Sequence, residues 1–249
     1  MKNSVLFLGT GASMGTPAIG CKCQVCSSKD KKNKRLRSSI LLKMHGKNFL
    51  IDVSPDFRQT ALMYQISDLD GVFLTHFHEN HVGGMNDLRP LFFMHNHKPL
   101  PLILSENTLD IVQMRFSYLM NRFDLHIIKD LEGVRRFCEV EFCYFTYYQN
   151  SIPVNGFRFG DFAYITDIKD YSDEIFQKIK GVKVLVLSLL QEEGTAMHFS
   201  YDEAIDFIEK SGAIKCYLTH ISHAVSHEEM NKKLPSNIEL AFDGLELTL

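Results

Sequence analysis

No stretch of the 249-residue sequence is long or apolar enough to cross a bilayer. The longest apolar run, Val182 to Leu190, is interrupted by Lys183 and falls far short of the ~20 residues that a spanning helix needs. No secretory leader is expected either. Lys2 is followed by an apolar run of only Val5 to Leu8, too short for the apolar segment of a signal peptide. Charge of one sign is also lacking: a formal net charge of −3 makes no field that would gather nucleic acid or a membrane surface. One local exception is the run Lys29, Lys31, Lys32, Lys34, Arg35 and Arg37, opposed only by Asp30. It reads as a solvated loop or as a phosphate-contacting patch. These absences predict a soluble, cytoplasmic protein without membrane or nucleic-acid partners, and a homodimer is compatible with them.

Internal repeats and low-complexity linkers are absent as well, so nothing divides the chain. With 45% apolar and 23% charged residues it has the composition of a globular domain able to bury a sizeable core. Short strand patterns recur at Val5–Leu8, Ile40–Met44, Phe49–Ile51, Val72–Thr75, Leu102–Leu104, Glu139–Thr146, Phe162–Thr166, Lys183–Leu187, Cys216–Thr219 and Glu239–Phe242. Val184 to Leu187 is apolar throughout, as expected of a strand covered on both faces. Helical patterns lie between them, over 56–64 after Ser54-Pro55 and over 109–120. The clearest spans Tyr201–Lys210: Ser200 and Glu203 form a capping box, Gly212 ends it, and Ala204, Ile205, Phe207 and Ile208 make its buried stripe. Strands with helices interleaved and no break predict one domain over 1–249, a mixed sandwich with helices outside two sheets.

Chemistry concentrates in Thr75-His76-Phe77-His78-Glu79-Asn80-His81-Val82-Gly83-Gly84. Three histidines at i, i+2 and i+5 follow an apolar strand and precede a Gly-Gly turn. A polar turn with solvated imidazoles is the plain alternative. Imidazoles clustered this closely, however, suit one or two ions of the zinc, iron or manganese type. The pattern resembles the His-x-His-x-Asp-His motif of the metallo-β-lactamase superfamily, with Asn80 in place of aspartate.

The second signal is Cys21-Lys22-Cys23-Gln24-Val25-Cys26. Three thiols cannot all pair with one another, and three thiolates plus one further donor make a closed tetrahedral zinc site of structural character. A redox or inert cluster is the alternative. The fourth ligand must come from elsewhere, and Thr219-His220-Ile221-Ser222-His223 offers two candidates. Cys138, Cys143 and Cys216 lie in apolar strand patterns and read as small core hydrophobes.

Taken together, Gly9-Thr10-Gly11-Ala12-Ser13, Gly20-Cys21-Lys22-Cys23, Cys26, Arg35 to Ser39, Asp52, Pro55 to Arg58, the histidine motif, Asp87 to Pro90, Gly156 to Arg158, Ala163 to Asp167, Leu218 to His223 and Phe242-Asp243-Gly244 resemble the PhnP-like branch of metallo-β-lactamase-fold hydrolases, typified by phosphoribosyl cyclic phosphate phosphodiesterase. The resemblance implies an α/β (α+β) fold, the four-layer αββα sandwich. It also implies a structural zinc on Cys21, Cys23, Cys26 and His223. Two catalytic metals, Mn2+ or Zn2+, would sit one on His76 and His78 and the other on His81 and His220, with Asp167 bridging. His198 would be the catalytic acid, and Asp52 a carboxylate orienting a ligand histidine. Two positions depart from the pattern. Asn80 stands where the second metal has aspartate, and Gln149 falls on or near the first metal's third histidine. Each swaps a good donor for a neutral amide oxygen, so weak or single occupancy is expected. His95 and His97 are nearby in sequence as substitutes, or simply belong to an exposed loop.

The implied activity is metal-dependent hydrolysis of a small, cyclic phosphate ester, weakened by Asn80 and Gln149. A pseudoenzyme keeping the fold and the structural zinc as a binding protein is the rival. A nuclease or transfer-RNA-processing relative would share the histidine motif without requiring the cysteine cluster.

Overall fold

The computed structural model describes residues 2–249. One seven-stranded sheet contains β1 (Ser4–Gly9), β2 (Ser39–Met44), β3 (Lys47–Ile51), β4 (Gly71–Phe73), β5 (Leu100–Ser105), β6 (Phe123–Ile128) and the returning β14 (Glu246–Thr248). The other contains β7 (Glu132–Phe137), β8 (Val140–Gln149), β9 (Ile152–Phe159), β10 (Phe162–Ile165), β11 (Val184–Ser188), β12 (Lys215–Thr219) and β13 (Ile238–Leu240). The two sheets follow one plan. In the first, β14-β1-β2-β3 pair antiparallel and β3-β4-β5-β6 parallel. In the second, β7-β8-β9-β10 pair antiparallel and β10-β11-β12-β13 parallel.

Between the sheets lies an aromatic core. Phe73 meets Phe142, Phe157 and Phe159 edge-on at 5.0, 5.2 and 5.3 Å between ring centroids, a preferred geometry for aromatic pairs. Outside each sheet is a further apolar layer. Phe199, Ala204, Phe207 and Ile208 cover the second sheet, and Phe57, Leu69, Val112 and Leu119 cover the first. The result is the expected four-layer αββα sandwich. Helix Tyr201–Ser211 has its capping box of Ser200 and Glu203, and Gly212 ends it at φ +66.

Several local expectations are corrected. The pattern over 109–120 is not one helix: Glu106–Arg115 is α-helical, then Phe116 breaks it before a 3-10 turn over Ser117–Arg122. Strand β4 ends at Phe73 and β10 at Ile165, which releases Thr75 and Thr166 for side-chain hydrogen bonding at the site. The basic run is solvated at Lys29, Lys31 and Lys32, as a loop would be, but its two arginines are not. Arg35 is 2% exposed, bonded to the Thr10 hydroxyl, the Ala241 carbonyl and His227; Arg37 pairs with Asp56 at 2.9 Å. Cys216 is buried as expected, whereas Cys138 and Cys143 are only partly so. Among the described residues no helix is long and apolar enough to cross a membrane.

Candidate metal centre

One edge of the sandwich collects the chemistry. Asp52 follows β3, the segment His76 to His81 follows β4, and Gln149 ends β8. Asp167 comes two residues after β10, His198 lies in the loop between β11 and the helix Tyr201–Ser211, and His220 follows β12. Asp52, Asp167 and His220 all sit in the left-handed region, at φ +62, +55 and +62. That conformation costs a non-glycine residue about 1–3 kcal/mol and is kept where the surroundings over-determine it, commonly at functional sites. Gly84, in the Gly-Gly turn, lies so close to the Ser54 carbonyl that an added Cβ would come within 2.1 Å of it. The turn brings the histidine segment onto the loop after β3, where the Val53 amide donates to the His81 carbonyl at 2.7 Å.

Asp52 is fully buried and anchors the cluster. Its carboxylate accepts from the Thr75 amide at 2.8 Å, from the Thr75 hydroxyl at 2.9 and 3.0 Å, and from His81 Nδ1 at 2.7 Å. His81 Nε2 is thereby aimed at Asp167 Oδ2, 3.1 Å away, yet it is buried without a hydrogen-bond partner among the described residues. Two groups converging without an aligned hydrogen bond are the arrangement expected around a shared cation. Burial disfavours charge on His81, but Asp52 and Asp167 on its two sides outweigh that and raise its pKa to about 10. The site therefore favours a positive charge at this point, either a proton or a metal.

The remaining groups close in around Asp167. His76 Nε2 lies 3.0 Å from His78 Nδ1, and His76, His81 and Asp167 bring ligand atoms within 4.8 Å of one another. So do Asp167, His198 and His220, with His220 Nε2 3.3 Å and His198 Nδ1 3.9 Å from Asp167 Oδ1. This grouping differs from the expected pairing of His76 with His78 and His81 with His220: His81 falls with His76, and His198 is drawn into the cluster. Asn80 reaches His220 Nε2 through Nδ2 at 3.2 Å. Gln149 reaches Asp167 Oδ1 at 2.8 Å and His198 Nε2 at 3.2 Å through Nε2. Both substituted residues thus belong to the cluster. His95 and His97 do not; His95 bonds the Ser67 carbonyl and His97 packs on Phe92 and Phe93.

Two threonines escaped the sequence reading. Thr75 holds Asp52 and contacts His76 Nδ1 at 2.9 Å, and the Thr195 hydroxyl accepts from the His198 amide at 3.0 Å. The first had a usable signal, its place directly before the histidine motif. Thr195 had none.

Far along the chain but adjacent in space, Cys21, Cys23, Cys26 and His223 form a second donor set. Of the two candidate histidines, His223 is the one present. Its Nδ1 lies 3.5 Å from Cys21 Sγ and 3.6 Å from Cys23 Sγ. A tetrahedral ion bound by sulfur at ~2.3 Å and nitrogen at ~2.0–2.1 Å separates those ligand atoms by about 3.5 Å. The contact with His223, then the Cys26 amide, lowers the Cys23 thiol to about 6, which favours the thiolate a metal requires. Donor type and spacing both fit zinc.

A family model described as a beta-lactamase superfamily domain matches residues 47–221, and the chain belongs to that superfamily, in its PhnP-like branch. A solved structure described as a new diphosphatase from the PhnP family is 35% identical, covers 100% of this chain and 98% of its own, and superposes with a TM-score of 0.95. Zinc-bound PqqB from Methylobacterium extorquens shares the fold at 19% identity, with a TM-score of 0.80 over 99% of this chain and 100% of its own. A Porphyromonas gingivalis protein named as an octanoyltransferase is 36% identical over 251 residues, taking in 97% of this chain but 50% of the relative. The chain spans about half the length of that relative.

If Asp52 orients His81 for a cation, Asp52→Asn should weaken metal binding by roughly 10–100-fold, the usual cost of losing such a partner. Calorimetric titration of chelator-stripped protein would measure it, and an unchanged affinity would remove Asp52 from that role.

Proposed function

We propose that this protein hydrolyses a small phosphate ester, a cyclic or open diester or a diphosphate, using a divalent metal held by the histidine–Asp167 cluster and His198 as general acid. The observation that carries this reading is the convergence of His76, His81, His198 and His220 on the buried Asp167 carboxylate, with His78 against His76. The similarity to a PhnP-family diphosphatase supports the phosphate chemistry. Zn2+ at the cysteine cluster and Mn2+ or Zn2+ at the histidines are the ions these donors suit. When bound, such an ion lowers the pKa of a coordinated water and neutralises charge on the phosphoryl oxygens.

The chain's own residues supply orientation and proton transfer. Asp52 and Thr75 fix the rings of His81 and His76. Thr195 holds the backbone of His198, whose ring stacks on His220 at 5.3 Å between centroids. Burial lowers the His198 pKa, but an anionic phosphate brought alongside raises it again. In its protonated form His198 can pass a proton to the departing oxygen. The name of the longer relative points to acyl transfer, whereas this donor set fits activation of water.

His198→Ala should then slow a substrate with a poor leaving group by about 10²–10⁴, the ordinary contribution of a general acid. It should slow a p-nitrophenyl ester, whose leaving group needs no proton, by less than about tenfold. Equal loss on both substrates would mean that His198 acts through structure or metal binding.

A further inference from the structure

His76, His81, His198 and His220 all bring ligand atoms up to Asp167, so whatever fixes that carboxylate shapes the whole centre. We infer that Tyr147 is a positioning residue for metal binding: its buried hydroxyl clamps the backbone of Thr166, and Thr166 in turn orients the Asp167 carboxylate. The inference rests on the metal-dependent reading of the site, which it deepens.

Strand β10 stops at Ile165, and the two residues that follow carry the chain into the site. Tyr147 reaches them from β8, two places along the sheet, across β9. It passes Gly156, where an added Cβ would come 3.0 Å from the Tyr147 ring. Tyr147 is fully buried. Its hydroxyl donates to the Thr166 carbonyl at 2.7 Å and accepts from the Thr166 amide at 3.0 Å. One hydroxyl thus engages both backbone groups of the residue before Asp167. Burial, with the Asp167 charge nearby, raises the Tyr147 pKa well above the ordinary phenol value, so the hydroxyl keeps the proton it donates. Phenylalanine would fill the same space but leave the buried Thr166 N–H and C=O without this partner.

The Thr166 side chain completes the link. Its hydroxyl lies 2.8 Å from Asp167 Oδ2, and an ionised carboxylate only accepts, so the hydroxyl donates. Burial opposes ionisation of Asp167, but His220 and His81 outweigh it and hold the carboxylate charged.

Strand β8 also holds the chain beyond Asp167. The Tyr148 carbonyl accepts from the Lys169 and Asp170 amides, both at 2.9 Å, and the Tyr148 amide donates to the Asp170 carbonyl at 2.8 Å. Asp167, left-handed at φ +55, is therefore pinned on both sides by consecutive residues of one strand. Such a strained conformation persists where its surroundings over-determine it. The Tyr147 hydroxyl supplies the constraint before Asp167, as the Tyr148 backbone supplies the one after it.

The test is Mn2+ titration, by calorimetry and electron paramagnetic resonance, of protein that keeps its cysteine-bound metal but has been stripped at the histidines. Tyr147→Phe, which keeps the ring, should bind Mn2+ about 10–100-fold more weakly than the natural chain, the usual cost of losing a partner that orients a ligand. The ion it does bind should show a changed zero-field splitting, because the carboxylate has turned. Thr166→Val should weaken binding to a similar extent, whereas Thr166→Ser, which keeps the hydroxyl, should bind as the natural chain does. A merely structural tyrosine would lower the melting temperature of Tyr147→Phe and leave the affinity and spectrum of the folded protein unchanged; that result overturns the inference. So does equal loss in Thr166→Ser and Thr166→Val, and this pair decides the matter if Tyr147→Phe does not fold. Natural protein that takes no Mn2+ at the histidines would sink the metal-dependent reading and this inference with it. Equally tight binding by the natural chain and Tyr147→Phe sinks the inference alone.

Discussion

Asn80→Asp should raise affinity for a second divalent ion by about 10²-fold or more, and Asn80→Asp with Gln149→His should raise hydrolysis of bis-p-nitrophenyl phosphate by a comparable factor. A 10²-fold gain is about 2.7 kcal/mol, a small part of the Coulomb energy of adding a carboxylate at bonding distance from a dication. The single variant frees His220 from an amide partner but leaves Gln149 on Asp167 Oδ1. Replacing Gln149 with histidine removes that N–H and adds a basic nitrogen, so the pair should exceed the sum of its parts. Without metal, the new carboxylate faces Asp167 in a buried site, and the variant should melt lower than the natural chain. Added Mn2+ should reverse that loss. A variant whose melting and turnover ignore metal would show that Asn80 does not limit the second position.

Cys23→Ser should destabilise the fold by more than about 4 kcal/mol, the range associated with loss of a structural metal. Binding free energy at a zinc site of this kind is folding free energy. Here the ion would tie the loop around Cys21–Cys26 to His223, roughly two hundred residues apart in the chain, as the Cys21–His223 contact across 202 positions shows. The natural protein should retain one zinc through mild chelation that empties the histidine cluster. Chemical denaturation with elemental analysis checks both halves of the expectation. Full stability after Cys23→Ser, or natural protein free of zinc, would remove the structural role.

Much of this site could be read from sequence because its ligands sit in short local patterns. His76, His78 and His81 lie within one turn, the cysteines within another, and the resemblance placed Asp167, His198, His220 and His223 at matching positions. What could not be read was which atoms face one another. Asn80 and Gln149 looked like weak oxygen donors, whereas their NH2 groups meet His220 and Asp167, a matter of side-chain orientation across three strand ends. Similarly, Arg35 sat in a run of solvated lysines, yet its burial is set by distant Thr10, Ala241 and His227. Among the strands, β6, β7 and β14 lie on or beside sheet edges, where outward charges such as Arg135 and Glu246 blur the apolar pattern. Strand β9 was masked by Pro153, Asn155 and Gly156, residues that signal turns. Gly156 is there for packing: the Phe145 ring lies 2.4 Å from where its Cβ would stand.

Whether this cluster hydrolyses phosphate esters is decided most directly by steady-state turnover of the natural chain on a diphosphate and on bis-p-nitrophenyl phosphate, with Mn2+ or Zn2+ supplied. Turnover should appear with metal, disappear under a chelator that leaves the cysteine-bound zinc in place, and be lost in His78→Ala and His81→Ala. No metal-dependent turnover by the natural chain, with activity present only after Asn80→Asp and Gln149→His, would contradict the assignment and identify a non-catalytic protein built on a hydrolase scaffold.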